Sequence, residues 1–185
     1  MPDDLAPPVA VNHLVLNVRD MAESHRFWTE VVGMKQVGVV KPQGENGPPR
    51  LMQFYSANHD GHLTHHDIAL MERPELPAPA ADGSSTSAID HIAIKFANRE
   101  AWLGRLAYLQ TKGIKFERRV EHGMSRSLYI RDPNGYGVEL LYELPRAVWE
   151  GNIQAALDHH ILLPTDGEAA LVDRREETPV FSPEK

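Results

Sequence analysis

The sequence contains no cysteine, which excludes disulfide bonds, thiolate metal sites and cysteine nucleophiles. No apolar run approaches the roughly 20 residues that span a bilayer, and the first residues do not resemble a secretory signal. The formal net charge is −7, so the chain lacks the excess of basic residues that nucleic acids and anionic membranes select. These absences predict a cytoplasmic protein that binds neither nucleic acid nor membrane.

Histidine is the residue that the sequence has in excess, with ten in 185 residues and no polyhistidine tract. Two of them lie in strand-like segments of one pattern, Asn12-His13-Leu14-Val15-Leu16 and Asp90-His91-Ile92-Ala93-Ile94. Each of these segments is the first strand of a predicted order of strand, helix and three strands. This recurrence indicates an internal duplication in which both histidines occupy the same phase of a strand.

The predicted fold is α+β: two paired βαβββ modules followed by a short C-terminal helix. The first helix is capped by Asp20 and ended by Gly33, and Trp28 and Trp102 are core residues of the two helices. The predicted segments are a flexible arm 1–10, a first module 11–73, a linker 74–88, a second module 89–144 and a helix with tail 145–185.

Regular elements are predicted from apolar periodicity and from the glycine and proline clusters between them. The predicted strands are Val11–Val18, Lys35–Lys41, Arg50–Ser56, His65–Glu72, Ile89–Phe96, Ile114–Val120, Ser127–Arg131 and Gly137–Glu143. The later helices are predicted at Asn98–Lys112 and Ala147–His160.

A carboxylate completes the candidate metal site. Glu139 lies in the apolar segment Gly137-Val138-Glu139-Leu140-Leu141, where an unpaired charge would be costly and metal ligation would remove that cost. His13, His91 and Glu139 together would form a facial triad of two imidazoles and one carboxylate. Such a triad holds a divalent first-row metal and leaves positions open for substrate and dioxygen.

The segment from Val120 to Glu139, VEHGMSRSLYIRDPNGYGVE, resembles the signature of type I extradiol ring-cleavage dioxygenases. These enzymes belong to the vicinal oxygen chelate superfamily, whose paired βαβββ modules match the predicted order. Asp-Pro-Asn-Gly followed by glutamate is common to the superfamily and indicates the fold only. His122 and Tyr129 are more specific to ring cleavage.

A second segment, HHDIAL from His65 to Leu70, resembles the His-Asp-x-Ala-Leu segment of related extradiol enzymes. The resemblance implies that His66 is the acid/base and mirrors the place of Glu139 in the second module. It also implies that Tyr129 hydrogen-bonds the substrate oxygen and that His122 fixes the adjacent polar network.

The implied cofactor is Fe(II), with Mn(II) equally compatible with the ligand set. The implied partners are a catecholic substrate, bound as a monoanion, and dioxygen. Because well-known members have four modules and this chain has two, it resembles the small one-domain members, for which a homo-oligomer is expected.

Simpler interpretations stand beside each functional one. A lone strand histidine is more often a hydrogen-bonded core residue, and His66 could be structural. Glu139 could be a salt-bridge partner, Tyr129 a packed aromatic, and His122 a solvated residue near a turn.

Two other functions fit the same fold. A glyoxalase-like isomerase or lyase would need a fourth protein ligand, from His66 or Glu72. A metal-free, drug-binding resistance protein would need none of the three proposed ligands.

Overall fold

The computed structural model describes residues 6, 8–40, 50–80 and 87–182. The chain divides into two compact units, Met1–Ala78 and Pro79–Lys185. Lys41 at the end of a predicted strand, residues 42–49 after it, and parts of the predicted arm, linker and tail lie outside the described residues.

The first unit is a four-stranded mixed sheet with one helical segment. Its helix α1 (Met21–Arg26) is capped by Asp20, whose carboxylate accepts the backbone N–H of Glu23 at 2.8 Å. The helix continues as a π-helical turn, Phe27–Val32, and ends as predicted at Gly33. The strands are β1 (Leu14–Val18), β2 (Lys35–Val40), β3 (Met52–Ser56) and β4 (Ile68–Glu72), in the order β1-β4-β3-β2. Strand β1 is parallel to β4, and the other pairs are antiparallel.

The second unit repeats this topology and adds a fifth strand. Its elements are β5 (His91–Lys95), α2 (Arg99–Thr111), β6 (Arg118–His122), β7 (Ser125–Arg131), β8 (Gly137–Glu143), α3 (Arg146–Trp149), α4 (Ile153–Asp158) and β9 (His160–Leu163). The sheet order is β5-β8-β7-β6-β9, with β5 parallel to β8. The predicted α+β class and its two βαβββ modules are therefore confirmed.

One tryptophan from the helical segment of each unit is buried in that unit's core. Trp28 and Trp102 are both 0% exposed, as predicted. In the second unit the Trp102 indole N–H donates to the backbone carbonyl of Leu140 at 2.8 Å, which joins α2 to β8. Leu106 and Leu109 follow Trp102 at helical spacing and are also fully buried, so α2 covers one face of the sheet.

Three predicted strands begin at the wrong residue, whereas the others agree to within two residues at each end. Val11–Val18 and His65–Glu72 both begin three residues later, at β1 and β4, and Ile114–Val120 is displaced to β6. Asp67 explains the late start of β4, because its carboxylate accepts the backbone N–H of Ala57 at 2.8 Å and holds the chain before β4 in a loop.

The predicted C-terminal helix Ala147–His160 is wrong in extent. The segment forms two short helices, because Asn152 begins a new helix by accepting the backbone N–H of Ala155 at 3.0 Å. Strand β9 then pairs antiparallel with β6, with His122 opposite His160. Sequence periodicity does not predict this strand, since only four residues form it.

Buried charges attach the C-terminal segment to the second sheet. The side chain of Asp173 is 0% exposed and contacts Arg99 at 2.6 Å, Arg126 at 3.3 Å and the hydroxyl of Tyr142 at 2.5 Å. Arg119, 1% exposed, donates to three backbone carbonyls of the same segment. The interior tolerates these groups because Asp173 is paired with two arginines and Arg119 is hydrogen-bonded to carbonyl oxygens.

In the part of the chain that the structure describes, no helix has the length and apolar character needed to cross a membrane.

Replacement of Asp173 should destabilise the second unit strongly. Asp173→Ala would remove one of the two carboxylates that pair with the buried Arg126 guanidinium, together with the partner of Arg99. We expect a loss of about 3–5 kcal/mol in the free energy of unfolding, measured in urea. Asp166→Ala is the matched control, because Asp166 is exposed and should change stability by less than about 0.5 kcal/mol. Equal effects of the two substitutions would contradict this role for Asp173.

Candidate functional site

His91 and Glu139 meet on one face of the second sheet. The pairing of β5 with β8 sets His91 opposite Gly137, two residues before Glu139. The His91 Nε2 atom lies 3.0 Å from Oε2 of Glu139, whose side chain is only 8% exposed. Two of the three predicted metal ligands are therefore adjacent through their ligating atoms.

Gly137 makes this approach possible. A Cβ atom at this position would lie 2.3 Å from the backbone oxygen of Asp90 and 3.1 Å from Cβ of His91. Real Cβ atoms essentially never come this close to backbone, so any other residue would push β5 and His91 away from β8. The glycine of the Gly-Val-Glu segment therefore helps to position the histidine.

A line of hydrogen bonds extends from Glu139 across the sheet. The Tyr129 hydroxyl donates to Oε1 of Glu139 at 3.0 Å, because these two residues are paired across β7 and β8. The His122 Nε2 atom lies 3.1 Å from the same hydroxyl. The ring of His160 on β9 lies 5.4 Å from that of His122. The structure thus brings His91, Glu139, Tyr129 and His122 together, and His122 lies in a strand rather than in a turn.

His13 and His91, the two histidines of the sequence repeat, make the same kind of contact through Nδ1. His91 Nδ1 lies 2.7 Å from the carboxylate of Asp90, and His13 Nδ1 lies 2.7 Å from the side-chain oxygen of Asn12. In each case the side-chain oxygen of the preceding residue accepts a hydrogen bond from Nδ1, so Nε2 is the ring atom that a metal could bind. A metal-binding histidine is commonly held in its tautomer by such a contact.

The first unit holds a cluster of three histidines. The ring of His66 lies 4.3 Å from that of His13 and 4.6 Å from that of His65, with 2.8 Å between the Nδ1 atoms of His65 and His66. His13 precedes β1 and His66 precedes β4. The roles predicted for His13 and His66 stay predictions.

The predicted equivalence of His66 and Glu139 is wrong. Leu14 pairs with Ile68 in the first sheet as Ile92 pairs with Val138 in the second, which makes Ala69 the equivalent of Glu139. Ala69 is 0% exposed and has no donor atom in its side chain. The duplication therefore preserved one candidate ligand in the first module and two in the second.

A cavity of about 310 Å³ opens beside His91. Arg118 lines it, with its guanidinium carbon 4.1 Å from the centre of the Tyr129 ring. The guanidinium of Arg131, also at this cavity, makes two hydrogen bonds to the carboxylate of Glu117. The cavity is polar and suits a small ligand that carries oxygen atoms.

Burial controls the protonation of this site. It raises the pKa of Tyr129 to about 12, and the neighbouring Glu139 charge acts in the same direction. It lowers the pKa of His122, against the opposing effect of Glu139. At neutral pH the tyrosine therefore keeps its proton and His122 is neutral.

The donors of the second unit fit a divalent metal. A buried carboxylate and an imidazole whose Nε2 atom faces it are ligands that Fe(II) and Mn(II) accept. In the described ranges, no group of three or more His, Asp, Glu or Cys side chains forms a complete metal site. His13 as the third ligand stays a prediction.

Sequence reasoning missed four neighbours of these residues: Asn12, Asp90, Arg118 and His160. The first two directly precede the candidate ligand histidines, and Arg118 shares a strand face with His122, so these three could have been found from spacing. His160 could not, because strand β9 itself is not predicted. Glu72, the other candidate fourth ligand, instead accepts the backbone N–H of Met21 at 3.3 Å.

The pKa of His122 should lie below that of a histidine in the unfolded chain. Because the unfolded chain then binds the proton more readily, the folded state should lose stability as the pH falls below about 7 toward the folded-state pKa. Glu139→Gln should lower the pKa of His122 further, since it removes the charge that opposes burial. An NMR titration of the His122 ring in the wild type and in Glu139→Gln measures the two pKa values, and urea unfolding at several pH values measures the stability. An unchanged or raised pKa of His122 in Glu139→Gln would contradict the predicted effect of the Glu139 charge.

Gly137→Ala should displace His91 and destabilise the fold. The clash with the Asp90 carbonyl is expected to reduce the free energy of unfolding by about 1–3 kcal/mol or more and to shift the His91 ring resonances. Gly104→Ala is the matched control, because Gly104 lies in α2 and a Cβ added there would have nothing within 4 Å. This control variant should be more stable than the wild type by about 0.5–1 kcal/mol, as alanine is favoured within a helix.

Three curated proteins are similar to parts of this chain. Biphenyl-2,3-diol 1,2-dioxygenase 2 of Rhodococcus globerulus is 36% identical over 76 residues, which cover 41% of this chain and 39% of that protein. Catechol-2,3-dioxygenase of Bacillus subtilis is 26% identical over 142 residues, 76% of this chain and 44% of that protein. Glyoxalase I of Saccharomyces cerevisiae is 23% identical and covers 73% of this chain and 45% of that protein. The chain spans less than half the length of these curated relatives.

A solved structure shows the same fold. The glyoxylase/bleomycin resistance protein/dioxygenase domain from Frankia sp. EAN1pec has a TM-score of 0.58 and 19% identity, and the match covers 75% of this chain and 100% of that chain. The protein-family model of the Glyoxalase/Bleomycin resistance protein/Dioxygenase superfamily matches residues 10–140 of this chain. The chain therefore belongs to this superfamily.

Proposed function

We propose that the protein is an extradiol dioxygenase, which opens the ring of a catecholic substrate with dioxygen at an Fe(II) centre held by His13, His91 and Glu139. The observation that carries the proposal is the line of donors on the second sheet. It runs from His91 through Glu139 and Tyr129 to His122, with contacts of 3.0, 3.0 and 3.1 Å. Of the two residues more specific to ring cleavage, Tyr129 thus contacts the candidate ligand Glu139, and His122 contacts Tyr129.

Fe(II) held by these residues would supply a Lewis acid for the catechol and electrons for dioxygen, and Mn(II) takes the same ligands. His13 joins the ligand set through the sequence repeat and through its orientation by Asn12, which parallels that of His91 by Asp90. The carboxylate of Glu139, which is buried, would hold the metal and offset part of its charge.

His66 is the proposed acid/base. Burial and its neighbours His13 and His65 lower its pKa, so the imidazole is neutral near pH 7 and can accept the proton of a substrate hydroxyl. The same imidazole, once protonated, can return the proton to a developing oxygen anion. Its close neighbour His65 shares a hydrogen bond with it and can hold its tautomer.

Tyr129 is the proposed hydrogen-bond donor to the substrate. Its raised pKa keeps the hydroxyl proton on the oxygen throughout the working pH range. That hydroxyl now donates to Glu139, so it can turn to a bound oxygen atom when the carboxylate ligates a metal. Neutral His122 lies within reach of the same hydroxyl and can accept or donate as required.

The glyoxalase-like alternative rests on the similarity to Glyoxalase I of Saccharomyces cerevisiae. It needs a fourth ligand, and Glu72 already accepts a backbone N–H at the start of α1. His66 would then have to ligate the metal and lose its role in proton transfer. The metal-free drug-binding alternative leaves unexplained why a buried carboxylate and His91 face each other.

The test is oxygen uptake by the Fe(II)-loaded protein with a panel of catechols, combined with the colour of a ring-opened product. Glu139→Ala should reduce both by about 10³-fold or more, because it removes a metal ligand. Glu143→Ala is the matched control on the same strand, since Glu143 is exposed and pairs with Lys95. Activity that survives Glu139→Ala would refute the ligand assignment.

His66→Phe separates ring cleavage from the glyoxalase-like reaction. As an acid/base, His66 can be removed without loss of metal, so the variant should bind Fe(II) normally while kcat falls by about 10²–10⁴-fold. Metal content and kcat are measured on the same preparation. Loss of the metal from this variant would instead favour a site with four protein ligands.

A further inference from the structure

A second cavity, of about 440 Å³, lies in the second unit on the other side of strand β6 from His122. It is lined by residues of β6, of β9 and of the segment that follows β9. Glu121 and Ile161 are paired across β6 and β9 and both line it. Since adjacent strand residues point to opposite faces, the cavity and the His122 network occupy opposite faces of the sheet. This volume falls in the range of roughly 300–1,000 Å³ that small-molecule sites occupy.

The walls of the cavity are mainly aliphatic. They comprise Ile161, Leu163, Pro164, Ala169 and Val172. Ile161 is 46% exposed and Val172 is 49% exposed. Apolar side chains that are exposed around a concave surface are a feature of ligand sites, because a ligand would remove them from water.

One buried carboxylate supplies the polar feature of the cavity. Glu121 is 7% exposed. His159 Nε2, Arg126 Nη2 and the Thr178 hydroxyl approach its Oε1 atom at 3.1, 3.3 and 3.4 Å. All three contacts are to Oε1, so among the described residues Oε2 is left to accept a hydrogen bond from a ligand. An acceptor placed in an otherwise apolar cavity selects and orients a donor.

The charges around the cavity are already balanced. Arg126, whose side chain is 0% exposed, pairs with Glu121. At the rim Arg174 and Glu177 lie 3.7 Å apart and offset each other. A charged ligand would therefore gain little from this site, whereas a neutral molecule with a hydroxyl group would satisfy Oε2 without adding charge.

We propose that this cavity is a binding site for a neutral small molecule with an apolar body and one hydroxyl group, which donates to Glu121. The site is separate from the proposed metal centre and does not depend on the proposed reaction. A molecule bound here would contact β6 and β9, and the opposite faces of these strands carry His122 and His160.

The probe pair is 1-naphthol and 1-methoxynaphthalene, which share the apolar body and differ in the donor. Binding is measured by NMR of the methyl groups of Ile161, Leu163 and Val172 in the whole chain. We expect saturable shifts with 1-naphthol and binding about tenfold or more weaker with the methyl ether, because the ether cannot donate to Glu121. Equal affinities, or no shifts at these methyl groups, would overturn the proposal.

Ala169→Trp should fill the cavity and abolish binding of 1-naphthol. Ala169 is exposed, and its contact with Arg119 is made by the backbone carbonyl, which the substitution retains. The matched control is Ala147→Trp, an exposed alanine in α3 outside the cavity, which should bind as the wild type does. Binding that persists in Ala169→Trp would overturn the proposal.

Glu121→Gln is a second variant, checked for folding by circular dichroism. It keeps the shape of the side chain and removes the charge, and it should weaken 1-naphthol several-fold more than 1-methoxynaphthalene. Sedimentation tests whether a second copy of the chain occupies the cavity instead, because it measures self-association. If the wild-type chain self-associates and Ala169→Trp breaks that association, the cavity is an interface between two copies and the ligand proposal fails.

Discussion

The parallel register between β5 and β8 is the constraint on which the candidate site depends. It sets Gly137 opposite His91, where no side chain could fit, and it brings Glu139 within 3.0 Å of the histidine. The antiparallel register between β7 and β8 then sets Tyr129 opposite Glu139. Two strand pairings thus convert three separated sequence positions into one continuous network. A shift of one residue in either register would turn the glutamate to the other face of the sheet.

The opposite face of the same sheet is stabilised by a different chemistry. There α2 contributes Trp102, Leu106 and Leu109, and the C-terminal segment contributes Asp173. Arg126 and Tyr129 both lie in β7, and their side chains point to opposite faces, Arg126 to this one. Its ion pair with buried Asp173 joins the chain beyond β9 to the strands of the site. Residues distant in sequence thus pack against the opposite face of the sheet that carries the network around Glu139.

The superfamily alone does not define a reaction, because one fold serves several chemistries through the groups placed on it. The chain belongs to a superfamily whose name joins glyoxalases, resistance proteins and dioxygenases. The distinction therefore depends on individual side chains. Glu72 accepts a backbone N–H at the start of α1, Tyr129 donates to Glu139, and His122 contacts the Tyr129 hydroxyl. These three observations support ring cleavage over a four-ligand isomerase site.

The sequence alone determined the fold class, the two modules and most element boundaries, because apolar periodicity and turn residues act locally. It also determined which residue types could ligate a metal, through the repeat around His13 and His91 and the apolar setting of Glu139. It failed where long-range contacts decide. Strand β9 is four residues long and is stabilised by its pairing with β6, a contact that no local pattern reveals.

Only the tertiary structure decided that Ala69, and not His66, is equivalent to Glu139, since strand register is a property of paired segments. It also decided that His122 contacts Tyr129, and that His160 lies beside His122. The cavity around Glu121 has the same origin, because the fold assembles its walls from β6, β9 and the segment that follows β9. Local sequence specifies which groups are present, and the pairing of distant strands specifies which of them meet.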